Sequence, residues 1–206
     1  MQHSAIVPDN EAGASSDTWH EVTLPDEQAA TAAFETVKHR LLDVNQWHEL
    51  AGAASSVFRL TDEKGNLADR PAKLGDHFRI DIPAPGPSVG EGHDWVQVEA
   101  IEHRRGENEE TISMRVRPAA NPKGSKDDIA HFFSDEASST FSVTRTGNRI
   151  VAEVHGRNEK PNTGTNSITD KIRNAVVGTG AMLGLNKPQW KGLVMGLVSG
   201  LPSVEE

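Results

Sequence analysis

The 206-residue chain has no cysteine and no tyrosine, and aromatic residues make up only 5% of it. Without cysteine there is no disulfide framework, no thiolate metal site and no thiol nucleophile. Without tyrosine there is no phenol to act as a catalytic acid. Long apolar runs are missing too, since none approaches the ~20 residues of a membrane-spanning helix. The opening Met1-Gln2-His3-Ser4 lacks the basic region and apolar stretch of a signal peptide, which points to a cytoplasmic protein. Positive charge is in short supply. The formal net charge is -9, which argues against nucleic acid and against anionic lipid as partners. What remains is a hydrophobic content of 35%, enough for one large domain. That domain is expected over residues 18–202, after a polar, Ala/Ser/Gly-rich and disordered segment over 1–17.

The hydrophobic periodicity sets the order of elements. Trp19 to Leu24 alternates as a short strand. Pro25-Asp26-Glu27 suits the first turn of a helix, on which Ala30, Phe34, Val37, Leu41 and Val44 recur as one stripe. Six further strand runs follow: Val57–Thr61, His77–Ile82, Trp95–Ile101, Thr111–Arg117, Thr140–Arg145 and Arg149–Arg157. Turn chemistry such as Thr146-Gly147-Asn148 separates them, and no helix-length pattern intervenes, so the sheet should be an antiparallel meander. A helical C-terminal segment carries Ile172, Val176 and Leu183 with Gly178, Gly180 and Gly184, breaks at Asn186-Lys187-Pro188 and resumes to Gly200. The fold class is therefore α+β, with a seven-stranded antiparallel sheet curved around a long C-terminal helix. Trp19, Phe34, Trp47, Phe78, Met114, Val116, Phe141, Val154 and Leu183 should be buried.

This order, together with Asp43-Val44-Asn45-Gln46-Trp47-His48 and with Leu74-Gly75-Asp76 leading into a strand, resembles the helix-grip superfamily that includes Bet v 1-like, START-related (SRPBCC) proteins. The resemblance covers roughly residues 18 to 200 and is topological. It implies a cavity between sheet and terminal helix, used by some members for binding and by others for cyclisation, dehydration or hydrolysis. It transfers no functional residue.

If alternation holds, the cavity wall is apolar: Phe78, Ile80, Val96, Val98, Met114, Val116, Phe132, Phe133, Phe141, Val154, Val176 and Leu183. Charged strand residues Arg79, Asp81, Glu99, Arg115, Arg117, Arg145, Glu153 and Arg157 then decorate the outer, solvated face as cross-strand pairs, because burying them unpaired is costly. A bulge near Arg117-Pro118 or His155-Gly156-Arg157 could turn one strand end inward. The loop from Pro83 to Gly92 reads as a flap or a plain hairpin connection. The connection from Pro118 to Ala137 is long enough to cover a cavity mouth, and its Phe132-Phe133 pair is a lid or a satellite cluster. His77, His93, His103, His131 and His155 are dispersed without ligand spacing, so no metal and no cofactor is expected.

Three functions are consistent with this reading. The favoured one is non-catalytic binding or transport of a small apolar or amphipathic molecule. The second is a polyketide cyclase/dehydratase-like or hydrolytic enzyme using the same cavity. Its candidate acids and bases would be His131, Asp94, Glu99 and Arg117, none supported by a partner motif. The third is a protein-interaction domain, in which Trp190 to Val198, too apolar for water, meets a partner or a second copy as a homodimer. Lys187 and Lys191 are too few to make that segment a membrane-surface helix.

Overall fold

The structure is a computed structural model describing residues 6–52, 56–82, 90–124, 129–164, 170, 174, 177 and 187–204. Seven alternating segments form strands β1 (Ala14–Thr23), β2 (Val57–Thr61), β3 (His77–Asp81), β4 (Asp94–Arg105), β5 (Glu109–Pro118), β6 (Ser138–Thr146) and β7 (Arg149–Glu159). All neighbours are antiparallel, in the order β1-β7-β6-β5-β4-β3-β2. Only the first strand is out of sequence order, crossing to the far edge beside β7. Helix α1 (Glu27–Leu42) follows β1, then a 3-10 turn (Val44–Gln46), α2 (Trp47–Ala51) and, at the C-terminus, α3 (Lys187–Leu197). Asp170, Asn174 and Val177 are helical as well. This α+β arrangement, a seven-stranded antiparallel sheet packed by helices from both ends of the chain, is the helix-grip one expected from the sequence.

Local chemistry explains the elements. The Asp26 carboxylate accepts the Ala29 N–H at 2.8 Å and so satisfies a donor at the start of α1. The stripe Ala30, Ala33, Phe34, Val37 and Leu41 is buried against the sheet. Gly75 adopts φ +86, a left-handed turn that a side chain would strain, and it swings Asp76 inward. Arg70 grips the Asp76 carboxylate with two bonds of 2.6 and 2.9 Å, holding the entry to β3.

The core is centred on Trp47. Its ring lies 5.5, 5.7 and 4.6 Å from those of Phe58, Phe78 and Phe141, and its indole N–H donates to the Arg40 and Leu41 carbonyls. Helix α3 closes the same core with Leu193, Val194 and Leu197, joined by Val198 just beyond its end. It approaches α2 through Gly192 and Gly196, where any Cβ would overlap the Ala51 and Leu50 carbonyls. Arg40 reaches from α1 to the Leu197 and Ser199 carbonyls at 2.8 Å, capping the end of α3.

Several expectations need correction. Trp19 is 51% exposed, because Thr18, His20 and Val22 take the core-facing positions of β1. That strand also begins at Ala14, inside the segment expected to be disordered. Residues 6–13 are placed against the sheet: Asn158 holds the Glu11 and Ala12 N–H groups, and the Arg115 guanidinium holds the Ile6 carbonyl. This arm crosses from β7 to β5 over the outer face, and Ile6 is buried there. The outer face is accordingly less solvated than alternation implied. His77 and His155 point outward but are buried, as are Arg157 and the hydroxyls of Ser138, Thr140 and Ser142. Arg145 lies in register with Glu110 and Ile150 on the inner face, at its α1 end, and is also buried. Val176, Leu183, Gly178, Gly180, Gly184 and the Pro83–Val89 part of the flap loop lie outside the described residues.

Candidate functional site

Ten expected wall residues fall within the described structure. Phe78, Ile80, Val96, Val98, Met114, Val116, Phe141 and Val154 all belong to the continuous core. Phe78 and Phe141 pack directly against the Trp47 ring, and Val98 and Met114 are fully buried in the same core. Phe132 and Phe133 form a separate stack with His131, at centroid distances of 4.2 and 4.6 Å along the series. The loop bearing them is pinned at both sides. The Ala130 carbonyl accepts from the Trp95 N–H, and the Phe132 carbonyl accepts from Asn162 just after β7.

The four acid–base candidates separate onto two faces. Glu99 and Arg117 pair on the outer face at 2.9 Å, with Arg115 on the same carboxylate at 2.6 Å. Asp94 and His131 come together at the start of β4. Asp94 is buried and accepts the Phe132 N–H at 3.0 Å, while His131 Nδ1 accepts the Phe133 N–H at 2.9 Å. Both therefore hold the loop in place. Among the described residues no three His, Asp or Glu side chains converge as metal ligands.

The sequence reading missed Glu159. The β1–β7 register shifts between Ala14 and Ser16, so β7 carries one extra residue, and Asn158 takes φ +55 there. This bulge turns Glu159 toward the inner side, into space left by Gly156: a Cβ on Gly156 would overlap the Glu159 carboxylate and the Ser16 hydroxyl. Glu159 is 4% exposed, with Ser16 Oγ 3.5 Å away. Burial pushes its pKa up to about 7, against the opposing pull of Ser16 and Arg157. The signal in the sequence was the glycine within a strand, which marks a bulge or a close approach.

An open groove lies between the sheet edge and the C-terminal helix. It measures about 560 Å³ and is lined by Asp17, Thr18 and Trp19 of β1 and by Lys187, Pro188 and Lys191 of α3. Both walls follow from the strand order and the packing of α3. β1 is an edge strand, so Trp19 has no neighbouring strand to cover it, and α3 turns Leu193, Val194 and Leu197 to the core and its lysines to solvent. Asp17 is held by His155 at 2.6 Å and by Arg157 at 2.8 Å. Its pKa is lowered: partial burial raises it, but the His155 and Arg157 bonds outweigh that. The apolar residues of Trp190–Val198 mostly face the core, leaving Met195 exposed.

No protein-family model matches the chain, and no curated protein is similar to it at the sequence level. Solved structures of similar shape include the hypothetical protein jhp0584 from Helicobacter pylori, at 15% identity and TM-score 0.48, covering 94% of this chain and 96% of that one. Ara h 8.0201 is similar at 9% identity and TM-score 0.36, covering 90% and 99%. The ginseng major latex-like protein 151 from Panax ginseng follows at 13% identity and TM-score 0.33, covering 83% and 96%. With TM-scores below 0.5 these likenesses bear on neither ligand nor activity, and the fold rests on the strand order and helix placement above. Among the described residues no helix is long and apolar enough to cross a membrane.

Proposed function

We propose that the chain binds a small apolar or amphipathic molecule between the sheet and the C-terminal helix, without transforming it, in the cytoplasm. The observation behind this reading is the groove between β1 and α3, whose volume of about 560 Å³ falls within the range of small-molecule pockets. An exposed tryptophan and a proline give it apolar walls, and charged groups at its rim give it the means to orient a ligand. Native mass spectrometry of freshly purified protein should show a retained small molecule, and a fluorescent fatty acid should bind. Protein that retains nothing and binds no such probe would overturn the proposal.

One observation favours an enzymatic second reading. Glu159, with a pKa near 7, suits proton transfer at neutral pH. It has only Ser16 and the Arg157 charge as described polar surroundings, however, and Glu99 and Arg117 are occupied with each other on the opposite face. This reading requires a turnover that disappears in Glu159→Gln while ligand retention survives.

A further inference from the structure

We infer that the groove between β1 and α3 selects a small planar aromatic carboxylate, its ring on Trp19 and its carboxylate at Lys187 and Lys191. This rests on the ligand-binding reading and adds the ligand's chemical class.

Three observations converge on it. Trp19 is 51% exposed and lies on the groove wall, so it offers a ring face that nothing in the described chain covers. A flat apolar group gains both burial and ring stacking there. Lys187 and Lys191 are four residues apart on α3 and so share one helix face, which lines the same groove. Neither makes an ion pair with a carboxylate among the described residues. The acids nearby are already matched. Asp17 accepts from His155 and Arg157, and Glu21, on the same side of β1 as Trp19, is held by Arg149 at 2.6 Å. Among the described residues the two ammonium groups are thus the unmatched charge of the groove, in a chain whose formal net charge is -9. That net charge repels an extended polyanion, so the ligand is small. One carboxylate can sit between two ammonium groups four residues apart, and a planar ring attached to it reaches the indole.

Titration calorimetry of the full chain with naphthalene-2-carboxylate and with its neutral carboxamide tests this. The carboxylate should bind roughly 10-fold tighter at low ionic strength, a difference of about 1.4 kcal/mol. The preference should collapse near 1 M salt, where the screening length shrinks to ~3 Å. In the double variant Lys187→Gln/Lys191→Gln the two probes should bind alike, and Trp19→Ala should weaken both. All the substituted side chains are exposed, and a thermal melt matching the parent confirms that the variants fold. If the carboxamide binds as tightly as the carboxylate, the anion inference fails and the ligand-binding reading stands. Should neither probe bind, the aromatic-carboxylate inference fails, and the ligand-binding reading stands or falls on the retained molecule and the fatty-acid probe. A carboxylate preference that survives the double lysine substitution would also overturn the inference, because the selecting charge would lie elsewhere.

Discussion

Glu99 and Glu159 each sit at a bulge of the same sheet, and their carboxyls meet opposite fates. In β4 the register advances from Val98 to Ala100 while β5 moves one residue, so Glu99 is the extra residue. Its side chain stays on the outer face between Arg115 and Arg117. In β7 the extra residue comes after Gly156, and Glu159 turns inward with a 3.5 Å approach to Ser16. The first carboxylate has two guanidinium partners, at 2.6 and 2.9 Å. The second loses hydration, gains little in return, and favours its neutral form near neutral pH. One misaligned residue in a ladder decides which face a glutamate joins, and with it the charge that the face carries.

The apolar core sets the upper end of the scale. Trp47 is fully buried among Phe58, Phe78 and Phe141, so Trp47→Ala should cost about 3–5 kcal/mol in urea unfolding. A loss near 1 kcal/mol would mean that this part of the inner face is loosely filled, and a ligand cavity would then extend into it.

Next in size is the inward carboxyl itself. Below pH 4.5 Glu159 is protonated whether the chain is folded or not, and its burial has no ionic cost. Between 4.5 and about 7 the unfolded chain releases the proton and the folded chain keeps it, so stability falls as pH rises. Above about 7 the whole cost is present, roughly 3 kcal/mol for a rise of this size. Glu159→Gln should therefore be more stable than the parent at pH 8, by up to that amount, and indistinguishable from it at pH 4. His77, whose pKa burial lowers from 6.5, adds an opposite slope below that pH, but it does so in both proteins and cancels in the difference. Parallel stability–pH curves for the two proteins would show that Glu159 binds its proton equally well in the folded and unfolded chain.

Gly156 offers a smaller perturbation of the same bulge. A methyl group there meets the Glu159 carboxylate and the Ser16 hydroxyl, so Gly156→Ala should cost about 1–3 kcal/mol by overpacking. It should also flatten the pH dependence, by pushing Glu159 into water. A destabilised variant that keeps the parent's slope between pH 4.5 and 7 would separate the glycine from the carboxyl.

These two bulges also mark how far the sequence could be read. Period-two alternation placed Phe78, Met114, Phe141 and Val154 inside and Arg115 and Glu153 outside, because a half-buried strand has no other way to satisfy both faces. It identified Arg117-Pro118 and His155-Gly156-Arg157 as places where a strand end could turn inward, yet did not reach Glu159, since the offset of a bulge is set by the partner strand. Trp19 was misplaced because an edge strand lets a large side chain remain in water. The arm from Ile6 to Gly13 was invisible because its bonds run to Asn158 and Arg115, more than 100 positions away, and nothing in its own composition announces them. The groove was not legible either. It needs Trp19 and Lys191 side by side, and only the crossing of β1 to the far edge of the sheet brings them together.

The smallest effect belongs to the outward glutamate. Glu99 is about a quarter exposed, and both arginines keep other acceptors if it is lost: Arg115 holds the Ile6 carbonyl at 2.7 Å and Arg117 the Asp135 carbonyl at 2.9 Å. Partly solvated ion pairs contribute little once screening and side-chain ordering are counted, so Glu99→Gln should cost about 1 kcal/mol or less. The loss should shrink further in high salt. A salt-insensitive loss above 2 kcal/mol would place Glu99 in a dry network. The arm over the outer face would then act as a seal over buried charge, and the contrast between the two bulges would be one of partners alone, not of water.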